Sequence, residues 1–283
     1  MTEPKSIVIS AEALRARLGE PGLLLVDTRD RAAWRKATLP GAVHLDVYDY
    51  FIPRSDAAGL ADLQRAAWAG LTAVGADKAR TVVFFETATG MISPRGLWFH
   101  EHAGLGGGLI LDGGYEAWVA AGGPVAPGTG ADAAITGGAA GPAPPAPRAD
   151  LYAGVDDILA REPGTVVLDV RRPTEHTGSF VHPCCARPGR IPDSVLLFYE
   201  DLLADGRYRA PDEIAARARA AGLTPETPVI IYCHRGARAA TALYGLRLAG
   251  FAGDGRVFVG SWHEWAERGE LFAATGVEED PLP

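Results

Sequence analysis

The chain has 283 residues, enough for two domains, and its 47% hydrophobic and 22% charged content is that of a folded globular protein. A net charge of −8 argues against general nucleic-acid binding, and no apolar run is long enough to cross a membrane. Three cysteines, two of them adjacent, make no disulfide framework; with an N-terminus (MTEPKSIVIS) that lacks a signal-peptide pattern, they predict a protein of the reducing cytoplasm.

In chain order, residues 24–27 read as a short apolar strand, and 32–36 begin a helix. Residues 43–45 are a second strand, and 60–74 have helical apolar spacing. The continuous apolar run 82–85 suits a strand covered on both faces. A helix over 96–103, a strand over 109–111 and a helix over 115–121 follow. Residues 122–149 are rich in Gly, Pro and Ala, carry little periodic hydrophobicity and predict a connection between domains.

The far side of that connection repeats the near side. Residues 23–29 (LLLVDTR) match 165–171 (TVVLDVR), pairing Asp27 with Asp169 and Arg29 with Arg171. Residues 39–43 (LPGAV) match 191–195 (IPDSV), and 81–86 (TVVFFE) match 228–233 (PVIIYC). Residues 112–122 (DGGYEAWVAAG) match 259–269 (VGSWHEWAERG). Four matches in the same order predict a duplication. The second copy has its clearest helices at 212–221 and 239–249. Alternating strands and helices predict an α/β domain with a mostly parallel central sheet in each half. The predicted division is 1–126, a linker at 127–150, and 151–283.

The segment 229–239 (VIIYCHRGARA) carries the chemistry. A buried strand runs into Cys233, then a short loop with Gly236, then a helix. At such a strand-to-helix turn, converging backbone N–H groups and the positive end of the helix dipole favour an anionic sulfur. Arg235 and Arg238 add positive charge to an otherwise acidic chain, which suits a small anionic substrate.

On these residues the chain resembles the tandem-domain rhodanese family, the thiosulfate and 3-mercaptopyruvate sulfurtransferases. The loop Cys233-His234-Arg235-Gly236-Ala237-Arg238 is similar to the family's cysteine loop, and GSWHEW at 260–265 and the LPGAV and IPDSV segments are similar to its other landmarks. The resemblance implies two rhodanese-like domains and a ping-pong reaction. A donor passes its outer sulfur to Cys233 as a persulfide, and cyanide or a thiol then removes it. It implies no metal or organic cofactor. Backbone N–H groups of residues 234–238 would form the anion nest, with Gly236 allowing the tight turn. Arg235 is the expected outer donor-binding residue, and a basic loop resembles the thiosulfate users. Arg238 either fixes the loop or meets sulfonyl oxygens; His234 either tunes the local potential or faces solvent.

Supporting residues follow. Asp169 and Arg171, having copies in the half without a cysteine, predict a loop-tethering ion pair, with direct substrate contact as the alternative. Glu86 stands at the cysteine position of the first half, which is therefore expected to be catalytically silent and to wall the cleft. Tyr115, Trp118, Trp262 and Trp265 are expected to pack the sheets, with Trp262 also placed to line the cleft. An insertion in the second half holds HPCCARPGR; Cys184 and Cys185 read as a loop pair, and neither a sulfur-relay or redox role beside Cys233 nor a metal role with His182 has a supporting spacing motif. His44, His100, His102 and His263 give no ligand set. A phosphatase of the same fold is the rival enzyme, but its arginine follows the cysteine one residue later than Arg238 does, where this chain has Ala239. A sulfur carrier or a rhodanese-like binding module is the remaining alternative.

Overall fold

The computed structural model describes residues 7–106, 108–139 and 143–276. Residues 1–6, read above for a signal pattern, residues 140–142 of the predicted linker, and 277–283 lie outside the described residues. The first half runs β1 (Val8–Ile9), α1 (Ala11–Ala16), β2 (Leu23–Asp27), α2 (Arg31–Lys36), β3 (Val43–Asp46), α3 (Ala57–Ala73), β4 (Thr81–Phe85), α4 (Ser93–His102), β5 (Gly108–Leu111), α5 (Gly114–Ala120) and β6 (Asp132–Ala134). The second runs β7 (Tyr152–Ala153), α6 (Val155–Leu159), β8 (Val166–Asp169), α7 (Pro173–Thr177) and β9 (Val195–Leu196), then the short hairpin β10 (Leu203–Ala204) and β11 (Arg207–Tyr208). It ends with α8 (Pro211–Ala220), β12 (Val229–Tyr232), α9 (Ala237–Leu248), β13 (Arg256–Phe258) and α10 (Ser261–Glu267).

The two large sheets carry the duplication in their topology. The first is ordered β1-β5-β4-β2-β3-β6 and the second β7-β13-β12-β8-β9, with parallel neighbours throughout. Dropping β6, each strand of one sheet has its counterpart at the same place in the other. The central strands β4 and β12 are buried from Val82 to Phe85 and from Val229 to Tyr232, as their unbroken apolar runs predict.

The predicted linker departs from expectation at β6. That strand pairs with β3 at the sheet edge, and Ile135 just beyond it is buried. A strand this short shows no periodicity, so its Gly- and Ala-rich surroundings mask it. Helix α4 also starts earlier than the apolar spacing indicates. Pro94 stands in its first turn, where the missing N–H costs nothing.

One hydrophobic core runs through both halves, from Val26, Phe84 and Trp98 to Ile231, Leu243 and Tyr244. Helices α4 and α9 pack against each other across it. Polar ties flank this contact: Thr241 Oγ1 donates to the Gly90 carbonyl at 2.8 Å, and Tyr244 Oη donates to Glu101 at 3.1 Å. The arrangement brings the loops that follow β4 and β12 to one cleft, at the carboxyl ends of their strands.

Candidate active site

Cys233 immediately follows β12, on the floor of a cleft of about 450 Å³. The residue is only 1% exposed, so a substrate must enter the cleft to reach it. Gly236, at φ 92°, makes the left-handed turn into α9, and its N–H donates to Cys233 Sγ at 3.1 Å. The cysteine's own backbone is clamped. Its N–H donates to Ser261 Oγ at 3.2 Å, and its carbonyl accepts from Trp262 N–H at 2.9 Å. His263 N–H donates to the His234 carbonyl at 3.1 Å. This is why the GSWHEW segment accompanies the cysteine loop: the start of α10 holds it in place.

The first half repeats the clamp without the sulfur. Tyr115 N–H donates to the Glu86 carbonyl at 2.8 Å and Glu116 N–H to the Thr87 carbonyl at 2.9 Å, the same two bonds one copy earlier. Glu86 Oε1 then fills its own loop. It accepts from the N–H groups of Gly90, Ile92 and Ser93 at 3.1, 3.0 and 2.9 Å, and from Ser93 Oγ at 2.9 Å. Burial pushes the Glu86 carboxyl above the usual range, and these four donors act against that push.

The loop arginines divide by role. Arg238 is held by Glu175 through two bonds of 2.6 and 3.0 Å, so it fixes the loop to α7 while lining the cleft. Arg235 lies in the cleft wall with its guanidinium 3.9 Å from the Phe51 ring centre, a residue of the first half. Its Nη2 donates to Cys184 Sγ at 3.0 Å, while its buried Nε has no hydrogen-bond partner among the described residues. Arg95, from α4 of the first half, also lines the cleft; it donates to the carbonyls of Tyr48 and Tyr50. Burial lowers its pKa to about 10, which leaves it charged at neutral pH. Among the described residues neither Arg95 nor Arg235 has a carboxylate partner in ion-pair range. Ala237 opens α9 on the cleft wall.

His234 does not face open solvent. Its Nε2 lies 3.2 Å from Cys184 Sγ, and its ring centre lies 4.2 Å from that of His182. Burial, then the nearby His182 and Arg235, lower its pKa to about 3, so the ring is neutral.

Asp169 and Arg171 are buried beneath the site rather than in the cleft. Arg171 donates to both carboxylate oxygens at 2.9 and 2.7 Å and to the Gly189 carbonyl at 2.8 Å. Arg29 holds Asp27 and the Ala37 carbonyl in the same way. The pair ties the loop after the first long strand in both halves, and neither Asp169 nor Arg171 lines the cleft. Trp262 is also no cleft residue: it is buried in the second core, 4.7 Å under the Arg171 guanidinium.

Several cleft residues, Glu175 and Arg95 among them, escape a reading of single segments. Glu175 and Arg95 meet the cysteine loop only through the fold. The signal for Arg95 was present: it is the single basic residue of 86–95, the segment that the duplication aligns with the cysteine loop. Cys185 packs against the second core, whereas Cys184 is held between His182, His234 and Arg235.

Comparison with known proteins agrees with this geometry. The Rhodanese-like domain family matches residues 10–121 and again 152–268. The chain is 30% identical to a probable 3-mercaptopyruvate sulfurtransferase of Pseudomonas aeruginosa, across 95% of this chain and 98% of that protein. It is 28% identical to a thiosulfate sulfurtransferase of Corynebacterium glutamicum, across 95% and 90%. A crystal structure of a probable thiosulfate sulfurtransferase superposes with a TM-score of 0.69 at 30% identity, over 90% of this chain and 98% of that one. The anaerobic ergothioneine biosynthesis enzyme of Chlorobium limicola shares the fold, with a TM-score of 0.76 at 20% identity over 96% and 70%.

Proposed function

Because the chain belongs to the rhodanese-like domain family, with one copy in each half, we propose that it is a sulfurtransferase acting through a Cys233 persulfide, with thiosulfate as donor. The observation that carries the reading is the sulfur itself: Cys233 Sγ rests on the Gly236 N–H at 3.1 Å, in a cleft walled by Arg95 and Arg235. The Cys233 thiolate attacks the outer sulfur of thiosulfate. The donor's S–S bond breaks, sulfite leaves with the electron pair, and Cys233 keeps the sulfur as a persulfide. Cyanide or a thiolate then attacks that outer sulfur and returns the Cys233 thiolate. The Gly236 N–H, which already meets Sγ, supports the anion without a moving counter-ion.

Thiosulfate is favoured by the basic lining of the cleft, to which Arg95, Arg172, Arg235 and the Glu175-held Arg238 contribute. The second reading, 3-mercaptopyruvate as donor, is favoured by the name of the Pseudomonas relative. In either case the persulfide is the only carrier and needs no metal or organic cofactor. No helix of the described residues is long and apolar enough to cross a membrane, and the cysteines are free, in keeping with action in the cytoplasm. Mass spectrometry after incubation with thiosulfate tests the intermediate. A gain of one sulfur atom on the peptide holding Cys233 is expected. A gain confined to Cys184 or Cys185 would overturn the assignment.

A further inference from the structure

At the edge of the cleft, three side chains from two separate loops converge on one point. His182 Nδ1 lies 3.1 Å from Cys184 Sγ, and His234 Nε2 lies 3.2 Å from the same sulfur. All three atoms lie within 4.8 Å of one another. His182 and Cys184 come from the inserted loop, His234 from the catalytic loop. No spacing motif marks the set, because the fold supplies its third member from fifty residues away.

We propose that His182, Cys184 and His234 form a binding site for a borderline-soft divalent cation, with Zn²⁺ as its representative. The donor set is two imidazole nitrogens and one thiolate, the ligands that zinc takes in preference to oxygen. The distances fit. Zinc–sulfur bonds of about 2.3 Å and zinc–nitrogen bonds of about 2.0–2.1 Å, at tetrahedral angles, put sulfur and nitrogen about 3.6 Å apart. The two observed separations each need to open by about half an ångström. Three protein ligands leave a fourth position for water or for an incoming thiol. Binding releases the Cys184 proton and forms the zinc–sulfur bond, with no change of oxidation state.

Arg235 donates to the same sulfur at 3.0 Å, so the sulfur already serves as an acceptor, and a thiolate has lone pairs for both partners. The nearby positive charge lowers the affinity below that of a site lined only by neutral groups. Because His182 and His234 also line the cleft, the bound cation would stand at its rim and hold the residue next to Cys233. The site lies outside the sulfur-transfer scheme proposed above, and its test does not depend on that scheme.

Zinc binding is measured on the intact protein by competition with a chromogenic chelator. Wild type should bind one Zn²⁺ per chain, and Cys233→Ser and Cys185→Ser should bind it equally well. Cys184→Ser and His182→Ala should each weaken binding at least about tenfold, the loss seen even when outer-shell partners of a metal are removed. Cobalt in place of zinc should give a thiolate charge-transfer band and the visible absorption of a tetrahedral ion, both lost in Cys184→Ser. Circular dichroism checks that the loop variants stay folded, and with two of them on an accessible loop, one failure leaves the other as the test. The assignment is overturned if wild type binds no zinc at micromolar concentration. It is equally overturned if Cys233→Ser abolishes binding while Cys184→Ser retains it.

Discussion

The sulfur of Cys233 and the carboxylate of Glu86 occupy the same place in two copies of one loop. In the second copy the Gly236 N–H meets the sulfur; in the first, three N–H groups and a hydroxyl meet one carboxylate oxygen. Both loops thus turn backbone N–H toward the side-chain atom at this position. Only the second leaves that atom nucleophilic and open to a cleft. Recognition of the donor then falls on the arginines that no carboxylate neutralises. Arg235→Ala removes a charged donor whose bonds to an anion are worth about 1.5–3 kcal/mol, and it should raise the thiosulfate KM about 10–100-fold with a smaller effect on kcat. Arg235→Lys should not restore it, because an ammonium cannot both fork and stack on Phe51. An unchanged KM in Arg235→Ala would remove this residue from the donor site. The cysteine loop is legible in the sequence because its parts are contiguous. Arg95 and Phe51 are not, because Arg95's place in the cleft and Phe51's place against Arg235 exist only once the two halves have packed.

At the scale of elements, α4 does more than cover its own sheet. It carries Arg95 to the cleft, and the loop leading to it is tied by Glu86. Glu86→Ala leaves those four donors unmet and should cost about 1–3 kcal/mol in urea unfolding. Persulfide should still form on Cys233, since the carboxylate takes no part in the chemistry; a loss of turnover in a protein that remains folded would contradict the silent reading of the first half. The same helix buries His100 and His102, whose ring nitrogens have no hydrogen-bond partner among the described residues. Burial lowers both to a pKa of about 4. An unfolded histidine titrates near 6.5. Between roughly pH 6.5 and pH 4 the unfolded chain therefore binds protons that the folded chain refuses. Stability is complete above that window and falls as pH falls through it, by up to about 1.4 kcal/mol per pH unit for each histidine. Urea midpoints at pH 7 and pH 5 measure the slope, and His102→Phe, which keeps a ring against Trp98, should flatten it. An unchanged slope would mean that His102 is not held neutral. The sequence placed this helix but not its starting residue, because its early turn is fixed by Pro94 and by Glu86 rather than by apolar spacing.

Over the whole molecule, duplication accounts for the architecture. Two sheets of matching order share one core, and the contact of α4 with α9 turns the loops after β4 and β12 toward a common cleft. The fold was legible because β2, β4 and their copies are buried on both faces and so read as unbroken apolar runs. The edge strands were not: β1, β6 and β7 are only two or three residues long and take their place from neighbours. The first half has a place in the site as well as in the architecture. It supplies Tyr48 and Arg95 to the cleft and Phe51 against Arg235, and its removal would expose the shared core.

The central claim is sulfur transfer through Cys233, and thiocyanate formation from cyanide tests it most directly. Thiosulfate and 3-mercaptopyruvate are compared as donors, in wild type and in Cys233→Ser. The account predicts thiocyanate that depends on Cys233 and a higher kcat/KM with thiosulfate. A preference for 3-mercaptopyruvate would contradict the donor assignment of Arg235, and turnover retained in Cys233→Ser, or absent with both donors, would contradict the reaction itself.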